Sequence, residues 1–330
     1  MATYDQIINQ LEKKQFAPVY LLHGTEPFYI DLISDYIEEN AIQKEHQDFN
    51  QVIFYGKDSD AEEIATNAKE FPFGSDKRVV IVKEAKELKS IEKLAAYMES
   101  PSSTSILVIC YKYLDAKAAF VKAAEKKGVV FKSAKVPDYK LAEWVQNRAS
   151  FHQFKINAEA SYIISEHIGN DLSRIDNEFK KLQILIPKGS EITPVIIEKH
   201  IGISKEYNVF ELQKALADRN KERVYKITLN FCDHLKENPN VKTISNLFSF
   251  YSKMLAYQLS DKSNLTASKI FGINNDWILK QNITQASSFS VMELRKNISI
   301  LREYDAKSKG VDSTAPEEEL LKEMMFKICG

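Results

Sequence analysis

The sequence predicts an α/β domain built on a parallel sheet, followed by two all-helical segments. Three observations predict it. Short apolar runs alternate with helical segments up to about residue 140. Those runs are continuous in Val, Ile and Leu rather than alternating with polar residues, as strands covered on both faces are. Beyond Pro137 only helical periods remain.

The elements follow in order. Residues 4–16 read as an amphipathic helix, with Tyr4, Ile7, Ile8 and Leu11 on one face. VYLL (19–22) is a strand, and 27–42 is a helix with Pro27 in its first turn, where a missing N–H is tolerated. Strands at 51–56, 78–85, 105–110 and 129–134 alternate with helices at 60–71, 91–100 and 114–128, the last closed by Gly128. Such alternation calls for right-handed crossovers between parallel strands. A small helical segment runs from about 141 to 208, with Gly169 and Asn170 as punctuation and Asp171 as an N-cap. From 209 to 330 seven helices succeed one another through short connections, so neighbours should pack antiparallel.

Composition narrows the function. The chain has 330 residues, a formal net charge of -1 and 44% hydrophobic residues, which fits two or three ordinary globular domains. No apolar run is long enough to span a bilayer, and the N-terminus lacks the pattern of a signal peptide, so a cytoplasmic location is expected. The three cysteines, Cys110, Cys232 and Cys329, are far apart and form no CxxC pair, which argues against a disulfide framework or a zinc module. Residues 209–330 carry a mild excess of roughly three positive charges, which permits a nucleic-acid contact without announcing one.

The stretch VYLLHGTEPFYID (19–31) has the strand–turn–helix order of a phosphate-binding loop. A Walker A loop needs G-x-x-x-x-G-K-[ST], glycines to wrap the phosphates, a lysine to meet them and a hydroxyl for Mg²⁺. Counting from Gly24, those places hold Tyr29, Ile30 and Asp31. Pro27 removes a donor N–H, and Glu26 brings negative charge to the loop. The strand 79–82 leads into Lys83, where a Walker B acid would stand, with Glu84 one place later. The domain therefore has a nucleotide-binding topology without the chemistry, or is an α/β domain that never had it. ATP hydrolysis and a bound cofactor are not expected. The six histidines show no HExxH or other ligand spacing, and no nucleophile elbow is present, so neither a metal site nor a catalytic residue is assigned. Glu317, Glu318 and Glu319 suit the positive end of the last helix.

One loop stands out. In NAKEFPFGSDKRVVIV (67–82) two phenylalanines flank a proline before a buried strand. Either they tuck under the sheet or they fill a partner's pocket, as interface anchors do.

The stretches PVYLLHGTEPFYIDLISDYIE, FPFGSDKRVVIVKEAKEL, IGNDLSRIDNEFKKL, YDAKSKG and the closing LLKEMMFKI, in this order and spacing, resemble the delta subunits of bacterial DNA polymerase III clamp loaders over nearly the whole chain. The resemblance implies an AAA+-like α/β domain at 1–140, a small helical lid-type domain at 141–208 and a helical collar at 209–330. It implies a subunit that binds the sliding clamp (the beta subunit) and opens its ring for loading on primed DNA during replication, with no ATP hydrolysis of its own. Such a chain is a non-catalytic part of a DNA-directed DNA polymerase, that is, nucleotidyltransferase, holoenzyme. The implied partners are the clamp, the ATP-binding motor subunits and delta-prime through the collar, and primed DNA within the assembly; no membrane is involved. The family's clamp contact is a hydrophobic pair just before the third strand, usually leucine and phenylalanine. The matching positions are Pro72 and Phe73, with proline replacing leucine. Phe73 is then the main clamp-binding anchor, with Phe71 and Pro72 supporting it, and the sheet and the preceding helix are expected to make it stiff. Two other readings stay open on the residues alone: an NTPase with an unusual phosphate loop, and a scaffold of another AAA+-like assembly.

Overall fold

The computed structural model describes residues 2–113, 115–204, 207–273 and 276–330. The chain separates into two compact units, Met1–Lys135 and Val136–Gly330.

The first unit runs α1 (Tyr4–Glu12), β1 (Val19–Gly24), α2 (Pro27–Asn40), α3 (Lys44–Asn50), β2 (Gln51–Tyr55), α4 (Ala61–Asn67), β3 (Arg78–Lys83), α5 (Leu94–Glu99), β4 (Ser105–Lys112), α6 (Ala118–Glu125) and β5 (Val129–Ser133). The sheet is parallel throughout, in the order β2-β3-β4-β1-β5, with Leu21 level with Ile109 on one side and Val130 on the other. This is the parallel-sheet α/β arrangement expected. Side chains alternate between the two faces of each strand, and both faces are buried. Leu21, Val80, Val82, Leu107 and Ile109 pack with Ile64 of α4, Leu94 of α5 and Phe120 of α6. Tyr20, Leu22, Val79, Ile81 and Val108 pack on the other side with Ile7 and Leu11 of α1 and Ile30, Ile33 and Ile37 of α2. Fully burying one such aliphatic side chain contributes roughly 1.5–3 kcal/mol, which is why apolar strands of this kind need helices on both faces.

Six local expectations change. The helix expected over 4–16 ends at Glu12 and the strand expected over 78–85 ends at Lys83, where Lys14 and Glu84 take left-handed conformations that end a helix and a strand. The helix expected over 60–71 ends at Asn67, because the buried guanidinium of Arg78 takes both the carbonyl and the side-chain oxygen of Asn67. Phe71 therefore sits on a loop. The helix expected over 114–128 begins at Ala118, and Leu114 lies outside the described residues. The helix expected over 91–100 opens as a 3₁₀ turn, Ile91–Lys93. Finally, α3 is an addition to the expected elements: KEHQDFN has one large apolar residue, Phe49, and that residue is exposed, so no apolar period marks it.

The second unit continues with α7 (Asp138–Phe151), β6 (Lys155–Ile156), α8 (Ala158–Ile168), α9 (Leu172–Leu185), β7 (Glu191–Ile192) and α10 (Pro194–Ile201). The short parallel β6–β7 pair is an addition to the all-helical reading. Asp171 caps α9 as expected, accepting the amide of Arg174 at 2.9 Å. The chain then forms α11 (Val209–Ala217), α12 (Lys221–Asp233), α13 (Asn240–Gln258), α14 (Asn264–Phe271), α15 (Asp276–Ser287), α16 (Val291–Ser308) and α17 (Glu317–Cys329). These helices share one core around Leu247, Tyr251, Leu301 and Met325, against which Tyr162 and Tyr207 also pack. Among the described residues, no helix is long and apolar enough to cross a membrane.

Candidate protein-docking site

The two places singled out by the sequence have opposite characters. At the end of β1 the phosphate-loop position is filled from within. Gly24 has a φ of +131°, and a Cβ there would lie 2.0 Å from the carbonyl oxygen of Ser133, so the chain turns under β5 with no free space. Glu26 is buried and is the N-cap of α2; its Oε1 accepts the amide of Phe28 at 3.1 Å. A helix N-terminus attracts an anion through its free N–H groups and dipole. Here the chain's own carboxylate occupies that place. Asp31, at the Walker hydroxyl position, pairs with Lys112 at 2.5 Å. Lys83, at the end of β3, pairs with Glu38 at 2.9 Å. Glu84 lies beyond the strand in a left-handed conformation, φ 54°, so it is no strand residue facing the loop. His23 is buried beside Asp115 at 3.7 Å. Burial pushes its pKa down, against the opposing pull of Asp115.

The loop before β3 is the reverse: its apolar groups face outward. Phe71 is 85% exposed and Phe73 73% exposed, with Pro72 partly covered between them. The alternative left open by the sequence, that they tuck under the sheet, is excluded for both rings. Outward aromatic side chains on a loop are costly to order unless something holds the backbone. The holder is Asn50, the last residue of α3, which is fully buried. Its Oδ1 accepts the amide of Phe73 at 2.6 Å, and its Nδ2 donates to the carbonyl of Phe73 and to that of His46, each at 2.9 Å. A single side-chain amide thus pairs with both backbone groups of Phe73, as a neighbouring strand would. Gly74 follows with φ +65°, a left-handed turn that suits glycine.

Arg78 adds a second tie. Besides Asn67, it donates to the carbonyl of Phe49 at 3.2 Å and pairs with Glu70 at 2.7 Å. One buried cation therefore joins the end of α4, the end of α3 and the start of β3. Phe49 itself is 65% exposed, and its ring centroid lies 5.9 Å from that of Phe73 at an interplanar angle of 56°. The result is an exposed aromatic surface of Phe49 and Phe73 whose backbone is held by buried polar side chains, with Phe71 beside them in sequence.

Sequence reasoning finds Phe71, Pro72 and Phe73 but misses Phe49, Asn50 and Arg78. Nothing in KEHQDFN separates an exposed phenylalanine from a core one. The pairing of Asn50 with a residue 23 positions away is a tertiary fact. The hold expected from the sheet and the preceding helix is made by these two polar side chains, Arg78 on sheet strand β3 and Asn50 at the end of α3. Among the described residues, no group of three or more His, Cys, Asp or Glu is placed to hold a metal ion.

Comparison with known proteins places this geometry in context. Residues 20–134 match the family model described as DNA polymerase III, delta subunit. The chain is 27% identical to DNA polymerase III subunit delta of Bacillus subtilis (strain 168), over 91% of this chain and 90% of that protein. Its fold matches the solved structure of the Bacillus subtilis DNA clamp loader delta protein with a TM-score of 0.58 at 23% identity, covering 99% of each chain. The likeness read from the sequence motifs is therefore present in the family model, in a full-length relative and in the fold.

Proposed function

We propose that this chain, a delta-type clamp-loader subunit by that resemblance, docks its exposed loop aromatics into an apolar pocket of a sliding clamp and so opens the ring for loading on primed DNA. The observation that carries the reading is Phe73: 73% exposed, yet fixed through both of its backbone groups to a buried asparagine. A ring kept wet and rigid at once suits an anchor, since pre-organisation lowers the cost of binding.

The mechanism needs no covalent chemistry. A docked subunit shifts the ring only by its difference in affinity for the open and closed forms. Burying one phenylalanine contributes roughly 1.5–3 kcal/mol, which is the most that one such anchor adds to that difference, about ten- to a hundredfold in an equilibrium. One anchor is enough only where the closed ring interface is already near balance, so neighbouring contacts and the rest of the loader supply the remainder. ATP then acts through the motor subunits, because the phosphate-loop position of this chain is occupied by Glu26. The division of the second unit near residue 208 into a lid-type domain and a collar joining the motor subunits and delta-prime belongs to the same proposal, as does contact with primed DNA.

The test is binding of the purified chain to the sliding clamp of its own organism, wild type beside Phe73→Ala, with and without ATP. Binding that ignores ATP and collapses in Phe73→Ala supports the reading. Absence of clamp binding, or binding that requires ATP on this chain alone, overturns it.

A further inference from the structure

We propose that Phe49 is a third clamp-docking aromatic, so that the docking element is discontinuous: one part is the loop before β3, the other the end of α3. This rests on the clamp-docking reading above and extends it to a residue outside the loop.

The geometry is specific. Phe49 and Phe73 are both mostly exposed, and their rings lie 5.9 Å apart in a tilted pair, within the range of favourable aromatic contacts. Their backbones are tied to one another from below: Asn50 bonds Phe73, and Arg78 bonds the carbonyl of Phe49. The backbones that carry the two rings are therefore held at a fixed spacing. A partner pocket that closes over Phe73 meets Phe49 at the same time, and no movement of this chain is needed to bring it there. Phe71 is the most exposed of the three and forms no aromatic pair among the described residues.

The surroundings fit one occupant, a protein surface with an apolar socket and a polar border. Next to the loop lies an open groove of about 1000 Å³ bordered by Lys14, Glu39, Lys44, His46, Asp76 and Lys77. The groove reaches the docking loop through Gly74 and Ser75, so charged groups of both signs flank one side of the aromatic pair, and a polar border beside an apolar centre is the usual anatomy of a specific protein interface. Continuity with the docking loop commits the occupant to the clamp.

The experiment compares the full-length chain with Phe49→Ala, Phe73→Ala, Phe71→Ala and the pairwise double variants in equilibrium binding to the clamp. Phe49→Ala should weaken binding at least about tenfold, as loss of a central aromatic does. The Phe49→Ala/Phe73→Ala pair should lose less than the product of the two single losses, because contacting residues couple. Phe49→Leu should recover part of the loss. Hydrogen exchange gives an independent readout on the wild type, with amides of residues 44–50 slowed when clamp is added. Clamp binding lost in Phe73→Ala but unchanged in Phe49→Ala, or no protection of α3, overturns this inference alone. Binding unaffected by Phe73→Ala overturns the docking reading beneath it.

Discussion

Asn50 and Phe73, 23 residues apart, are joined by two hydrogen bonds through one side-chain amide, 2.6 Å to the Phe73 nitrogen and 2.9 Å from the Phe73 oxygen. This pairing turns an exposed loop into a fixed mount. It gives a buried residue control over a surface one.

Asn50→Ala strands the amide and carbonyl of Phe73 and frees a carbonyl of α3. Leaving buried polar groups unpaired costs about 1–3 kcal/mol. We expect a stability loss of that size in urea titration and weaker clamp binding, although Asn50 itself is out of reach of a partner. Stability loss with unchanged binding would show that docking does not depend on the order of the loop.

Gly24→Ala should be among the most damaging single-methyl changes in the first unit. The new Cβ would meet the Ser133 carbonyl at 2.0 Å, on a backbone with φ +131°. Backbone strain of this type alone costs of order 1–3 kcal/mol, before β5 is displaced. The check is the expression level and melting temperature of the variant; a wild-type melting temperature contradicts the close approach.

Asp176 ties α9 to α7. It accepts Arg148 Nε at 2.5 Å, His152 Nε2 at 2.6 Å and Lys180 Nζ at 3.1 Å while buried. Burial alone would raise its pKa, but the bonds from His152 and Arg148 and the Arg148 charge hold it well below the usual carboxylate range. A depressed folded-state pKa means its stabilisation is fully present above about pH 4, the unfolded value, and is lost as pH falls through the folded value. Asp176→Asn should destabilise by about 3–5 kcal/mol at pH 7, as breaking a buried pair does, and should flatten the acid limb of stability. An acid limb identical to wild type would refute the assignment.

His167, in the last turn of α8, has its pKa lowered to about 4 by burial and by the nearby charges of Lys242 and Arg174. The unfolded value is near 6.5, so the fold keeps the ring neutral. Its contribution to stability is complete above pH 6.5 and is lost as pH falls toward 4. An NMR titration should place its midpoint near 4, and His167→Gln should make the second unit less sensitive to acid over that range. A midpoint at 6 or above would mean that the ring is not shielded.

Much of this molecule is legible in its residues alone. The continuous runs at Val19, Val79 and Ile106 mark strands with two covered faces, and Pro27 and Asp171 mark helix starts. Tyr29, Ile30 and Asp31 stand where a Walker A loop has its glycine, lysine and hydroxyl residue. These are local properties: periodicity, caps and residue chemistry act over a few positions. The helix end at Asn67 escapes such reading because its cause is Arg78, eleven residues on. The helix α3 escapes it because its one large apolar residue points outward.

The sequence by itself thus determined the order of the five sheet strands, the parallel sheet, the residues that stand after Gly24 in place of a Walker A set, and the loop that holds Phe71, Pro72 and Phe73. Only the tertiary structure decided which way those rings face and what holds them. Orientation of a loop side chain depends on which distant polar groups satisfy the loop backbone, and a buried donor or acceptor must find a partner somewhere. Here the partners are Asn50 and Arg78, brought together by the packing of α3, α4 and β3. No short-range pattern encodes that meeting.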